Sequence, residues 1–162
     1  MPVKILIING PNLNMLGIRE PALYGRQDYP ALEEYCRTAC RELSAQYSCE
    51  VECEIFQSNY EGALVEKIQQ AYFDHTEGIV INPAAYTHTS VAILDALKAA
   101  AVPAAEVHLT DIREREEFRR ISYAGMACEQ HFIGYGFEGY RMALEYLVRA
   151  YGKGEVQYDN CL

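Results

Sequence analysis

Five strand-like runs recur along this chain, each followed by a loop and a segment of helical periodicity, and that alternation leaves few folds open. The first run, Lys4-Ile5-Leu6-Ile7-Ile8, is continuously apolar and β-branched, as a strand covered on both faces requires. Further strands are predicted near Cys49–Phe56, over Gly78–Asn82, from Ala105 to Leu109 and at His131–Gly134. Between them, helices are predicted from Tyr29 to Tyr47, from a Ser58-Asn59-Tyr60-Glu61 capping box to Asp74, and from a Ser90 cap to Ala101. A charged helix is predicted from an Asp111-Ile112-Arg113-Glu114 capping box to Ile121. The last helix starts near Glu138 and is expected to bury Tyr140, Ala143, Leu144, Leu147 and Tyr151. Strands joined by helical crossovers must run parallel, with helices on both faces. The expected fold is therefore α/β: a flavodoxin-like, doubly wound, five-stranded parallel sheet in three αβα layers.

The 162 residues suffice for one domain with a substantial core, with a loose tail expected from about Gly152. The net charge of −9 argues against nucleic acid or an anionic membrane surface as partner, because both need a basic face. A small anionic ligand remains compatible, since a local arginine pair can bind a carboxylate inside an acidic protein. No apolar run approaches the roughly 18 residues of a membrane span. Met1-Pro2-Val3-Lys4 leads straight into a strand without a secretory signal, so a cytoplasmic protein with reduced thiols is expected. The six cysteines include no C-x-x-C pair; Cys36 and Cys40 sit one helical turn apart, and Cys49 and Cys53 are read on one strand face. They read as small core hydrophobes, not as metal ligands.

Folds of this kind bind ligands beyond the carboxyl ends of their strands. That selects Asn9–Tyr24, Gln57–Asn59, Asn82–Thr89, His108–Asp111 and Gly134–Gly139. The first of these loops is long and carries Asn12, Asn14, Arg19, Glu20 and Tyr24 between the hinge glycines Gly10, Gly17 and Gly25. It reads as an active-site lid or as a surface Ω-loop. Strand alternation puts Glu106 and His108 on one face, where a carboxylate stabilises an imidazolium and fixes its tautomer, as a general acid needs. The plainer reading is a structural histidine. Leu109-Thr110, before the Asp111 helix, offers backbone N–H groups and a hydroxyl to an anion. Arg115 and Arg119 repel at i, i+4 unless an anion or carboxylate lies between them, although Glu114, Glu116 and Glu117 also explain them as a salt-bridged surface. Asn82 and His88 suit a polyhydroxylated ligand.

Gly134-Tyr135-Gly136-Phe137-Glu138-Gly139 matches G-x-G-x-x-G, but too little chain follows for the βαβ unit of a dinucleotide site, and tight helix–strand packing explains it better. No Walker A or G-x-S-x-G sequence occurs, and none of the lysines (Lys4, Lys67, Lys98, Lys153) ends a strand. What remains is acid–base chemistry with no cofactor and no metal. Its acid is His108, and its candidate base is Tyr24, whose phenolate Arg19 would favour. A non-enzymatic flavodoxin-like binding module and a nucleotide-binding enzyme are the rival classes.

Four stretches together, NGPNLNMLGIREPALYG from Asn9, QSNYEG at Gln57–Gly62, YTHTSVAILDA at Tyr86–Ala96 and EVHLTDIREREEFR at Glu106–Arg119, resemble the type II 3-dehydroquinate dehydratase family. The resemblance extends from about Lys4 to Leu147. It implies anti elimination of water from 3-dehydroquinate through an enolate, giving 3-dehydroshikimate without metal or Schiff base. It further implies that Tyr24 removes the C2 proton with Arg19 holding it deprotonated, and that Asn12 anchors the water that stabilises the enolate. By the same resemblance His108 protonates the leaving C1 hydroxyl and is oriented by Glu106, while Leu109 and Thr110 bind the carboxylate. Asn82, His88 and Arg119 would hold the ring hydroxyls, and Asp95 would reach a neighbouring subunit's site in trimers grouped into a dodecamer. The chain departs from the family pattern at Asp111, often Asn, at Ala84, often Gly, and at the charged pair Arg113-Glu114. Asp111 reads either as a negative charge beside the carboxylate pocket or, more simply, as a helix cap. Cys128–His131 is a further unusual segment without an assigned role.

Overall fold

The computed structural model describes residues 1–18 and 27–152. Arg19, Glu20, Tyr24 and Gly25, and the expected loose tail beyond Gly152, lie outside the described residues. The strands are β1 (Val3–Asn9), β2 (Val51–Gln57), β3 (Gly78–Asn82), β4 (Ala104–His108) and β5 (Gln130–Ile133). They form one sheet in the order β2-β1-β3-β4-β5. Every pairing is parallel. The helices are α1 (Tyr29–Tyr47), α2 (Glu61–Phe73), α3 (Val91–Ala100) and α4 (Glu138–Tyr151). This is the doubly wound arrangement expected from the alternation.

The layers follow from period-two alternation on the central strand. Ile5 and Ile7 face the side covered by α1 and α4, packing with Leu32, Cys36, Leu43, Tyr140, Leu144 and Leu147. Leu6 and Ile8 face the other side, with Leu64 and Ile68 of α2 and Ile93 and Leu97 of α3. Each such buried aliphatic side chain contributes about 1.5–3 kcal/mol. Burial pushes the Cys36 thiol up to about 12, so at neutral pH it packs as a protonated hydrophobe. Cys49 precedes β2, so it shares no strand face with Cys53.

Helix starts show where local signals were overridden. Asp28 caps α1, accepting from Ala31 N at 2.9 Å, and Ser90 caps α3, accepting from Ile93 N at 2.9 Å. The capping box expected at Ser58 does not form: α2 begins after Tyr60 with no side-chain cap. Ser58 Oγ instead accepts from Tyr60 N at 3.0 Å, and Asn59 Oδ1 accepts from Asn12 N at 2.9 Å and from Gln57 Nε2 at 3.1 Å. The Asn59 side chain thus serves the first loop in place of the helix.

The charged helix expected from Asp111 to Ile121 is also absent. Two single 3-10 turns stand there, Ile112–Glu114 and Glu117–Arg119, separated by extended backbone at Arg115 and Glu116. Only Ile112 of these turns is buried, so no apolar stripe is available to hold a longer helix against the core. Asp111 caps only the first 3-10 turn. At the other end, Tyr151 is 37% exposed and not buried as expected. Its hydroxyl, like that of Tyr146, donates to the Glu129 carboxylate.

The first and third loops meet closely. Gly10 N donates to Asn82 O at 2.8 Å. A Cβ on Gly10 would stand 2.3 Å from Pro83 O, so only glycine permits this approach. Beneath the loops runs a buried polar chain. Asn82 Nδ2 donates to the Tyr140 hydroxyl at 3.0 Å, which donates to Asn9 Oδ1 at 2.7 Å. Burial pushes the Tyr140 phenol far up, so it stays a neutral hydroxyl that both accepts and donates. Tyr140→Phe leaves two buried amides short of a partner. Chemical denaturation is expected to show a loss of about 1–3 kcal/mol with the denaturant slope unchanged.

Candidate active site

A cleft of about 370 Å³ opens at the carboxyl ends of the strands. Its walls bring together seven of the residues selected from sequence: Asn12, Asn82, His88, His108, Leu109, Thr110 and Arg119. Arg115 lines it too, together with Met15, Leu16 and Ala85, which sequence reasoning did not single out. Asp95 lies on the exposed face of α3 and is not part of this cleft. Arg19 and Tyr24 fall outside the described residues.

Each wall has a local cause. Asn12 turns the first loop in a left-handed conformation, φ 68°, which asparagine tolerates better than most residues. Its backbone N–H is tied to Asn59. Asn82 ends β3; its Nδ2 is held by Tyr140 and its Oδ1 accepts from Ala84 N at 3.2 Å, so the side chain is locked on both sides. Ala84 takes φ 52°.

His88 Nδ1 lies 2.8 Å from Ile121 O. A carbonyl only accepts, so Nδ1 carries the proton. Burial lowers the His88 pKa against the opposing pull of that carbonyl, which favours the neutral ring. Nε2 is then an acceptor, suited to a ligand hydroxyl. Arg119 Nε donates to Glu116 Oε2 at 2.6 Å, which fixes the guanidinium at the cleft edge.

His108 and Glu106, both buried, sit on one face of β4 as alternation requires. His108 Nε2 is 3.0 Å from Glu106 Oε2, close enough for an ion pair but without the alignment of a straight hydrogen bond. Burial pushes the Glu106 carboxyl up, but the His108 imidazole and hydrogen bonds from Ser122 and His131 outweigh it and hold the group down at about 2. Glu106 is therefore an ionised carboxylate in the core. Sequence reasoning missed Ser122 and His131, because their distance from Glu106 depends on how β5 and the preceding turn dock against β4.

Asp111 is paired with Arg113, which donates from Nε at 2.8 Å and from Nη2 at 2.7 Å. That bidentate contact holds the Asp111 carboxyl down at about 2 and compensates its charge beside the cleft. In the Gly134–Gly139 segment, helix–strand packing accounts for Gly139, whose Cβ would press within 3.3 Å of Val107 Cγ1, whereas Gly134 and Gly136 serve a turn with φ 89° and 58°.

A carboxylate with a depressed pKa stabilises the fold above its ordinary pKa and loses that contribution as pH falls. For Glu106 the window runs from 4.5 down to about 2. In urea titrations across this window, Glu106→Gln is expected to show a shallower loss of stability than the parent.

The model of a family described as Dehydroquinase class II matches residues 3–148. A protein named 3-dehydroquinate dehydratase from Lachnospira eligens is 47% identical over 147 residues, covering 90% of this chain and 96% of that protein. One of the same name from Helicobacter acinonychis is 49% identical over 146 residues, covering 90% and 84%. The solved structure of a type II dehydroquinase from Butyrivibrio crossotus superposes with a TM-score of 0.83 at 48% identity, covering 90% of this chain and 97% of that one.

Proposed function

The chain belongs to the class II dehydroquinase family, and from that premise we propose that it is a 3-dehydroquinate dehydratase of the shikimate pathway, a hydro-lyase acting by acid–base chemistry alone. The observation that carries the reading is the convergence of Asn12, Asn82, His88, His108, Leu109, Thr110 and Arg119 on one cleft, with the ionised Glu106 behind His108.

In this reading Tyr24, as phenolate beside Arg19, takes the C2 proton, and the electron pair moves into an enolate. Asn12 holds a water against the developing oxyanion, where stabilisation acts on the transition state more than on the ground state. As the enolate collapses, the C1–O bond breaks and His108 delivers a proton to the leaving oxygen. Water departs and the C1–C2 double bond remains, giving 3-dehydroshikimate. Glu106 orients the His108 ring. Leu109 and Thr110 receive the carboxylate, and His88 accepts from a ring hydroxyl through its Nε2, with Asn82 and Arg119 beside it. An anti elimination needs base and acid on opposite faces of the substrate, so one on the first loop and the other on the sheet are well divided.

The same family pattern supports a single catalytic domain over residues 1–162 and a cytoplasmic enzyme. It also supports trimers grouped into a dodecamer, in which Asp95 contributes to a neighbouring subunit's site. Among the described residues, no helix is long and apolar enough to cross a membrane.

The purified protein is expected to convert 3-dehydroquinate with a rise in the ultraviolet absorbance of the conjugated enone. Turnover should survive treatment with substrate and borohydride, and Tyr24→Phe should lower kcat by about 10²–10⁴-fold. Loss of activity after borohydride would point to a Schiff base, and absence of turnover would favour a binding module.

A further inference from the structure

His131 has no part in the chemistry above, yet it stands opposite Glu106 in the β4–β5 register. Its Nδ1 lies 2.9 Å from Glu106 Oε1. The other oxygen, Oε2, accepts from Ser122 Oγ and faces His108 Nε2 at 3.0 Å. One buried carboxylate is thus shared by two imidazoles, one inside the cleft and one outside it. We propose that His131 is a positioning residue for the proton-donor pair: by holding Oε1 it fixes the carboxylate plane of Glu106 and so keeps Oε2 against His108. This inference rests on the reading of His108 as the general acid.

The need for such a clamp is physical. The terminal torsion of a glutamate is broad, so a carboxylate anchored at one oxygen can swing about that anchor. The Ser122 anchor is itself oriented: its Oγ accepts from Gly125 N at 2.9 Å, which directs its own proton to Glu106. Gly125 also leaves the space the carboxylate occupies, since a Cβ there would stand 2.7 Å from Glu106 Oε1. His131 supplies the second anchor, from the neighbouring strand. Because the carboxylate facing it is ionised, Nδ1 must carry a proton.

The groups facing Glu106 are His108 on its own strand, His131 on β5, Ser122, and the Cys128 thiol. Burial and the charges of Glu106 and Glu129 push that thiol up, so it remains neutral. The next carboxylate, Glu129, is engaged by the hydroxyls of Tyr146 and Tyr151.

The test compares the parent, His131→Val and His131→Asn. The valine removes the donor, whereas the asparagine amide reaches the position of Nδ1. Against 3-dehydroquinate, His131→Val is expected to lower kcat on the order of 10-fold with KM within two-fold. The acid limb of kcat should move to higher pH, because Glu106 loses a donor that holds its carboxyl down. His131→Asn should recover kcat to within about three-fold of the parent. Nitrogen-15 NMR of the His108 ring, recorded without substrate, should show mixed tautomers in the valine variant and a single one in the parent and His131→Asn. That measurement stands even where the parent fails to turn over 3-dehydroquinate. An unchanged His108 spectrum in folded His131→Val would overturn the inference, as would an asparagine variant as impaired as the valine. Should His131→Val not fold, a parent-like spectrum in His131→Gln, whose longer side chain displaces the donor, would equally overturn it.

Discussion

A carboxylate can remain ionised in a protein core only if the surrounding structure supplies its charge with donors, and at Glu106 three separate parts of the chain do so. His108 comes from the same strand, His131 from β5 and Ser122 from the turn before β5. Removing any of them leaves a buried charge short of compensation. The docking of β5 beside β4 is therefore tied to the electrostatics of the cleft, and the edge of the sheet becomes part of the machinery that orients His108.

The remaining walls depend on the same economy of satisfied polar groups. Asn82 faces the cleft, but its orientation is set from below by Tyr140, a residue of the last helix buried completely within the core. Tyr140 in turn reaches Asn9 at the end of the central strand. The first and second loops are laced above this chain by Gln57 and Asn59, which bond to Gly10 O and to Asn12 N. A cleft assembled from loops is thereby held by groups on rigid strands and helices, the condition for preorganised electrostatics.

Much of this was legible in the sequence because it arises from local periodicity. Alternation along β4 was enough to place Glu106 and His108 together, and the rule for parallel sheets was enough to put Asn12, Asn82 and His88 at one end. The misreadings share a cause. Ser58 and Asn59 carry a helix-start pattern, but the Asn59 side chain is engaged by the first loop and Ser58 Oγ by Tyr60 N. The Asp111–Ile121 run has strong helical and capping signals, yet it buries only Ile112 of its turns, and local propensity without an apolar stripe does not sustain a helix. Tyr151 falls on the helical period of α4 but at its last turn, where its hydroxyl donates to Glu129.

The sequence by itself determined the alternating α/β architecture, the residue types at the strand ends and the family motifs. Each of these is written in contiguous residues whose spacing fixes their faces. Only the tertiary structure decided that Tyr140 supports Asn82, that Asp111 is neutralised by Arg113 in a short turn, and that Glu106 is divided between His108 and His131. The Tyr140 and His131 contacts join residues 58 and 25 positions apart, and their geometry follows from sheet register and helix docking, which no local pattern encodes.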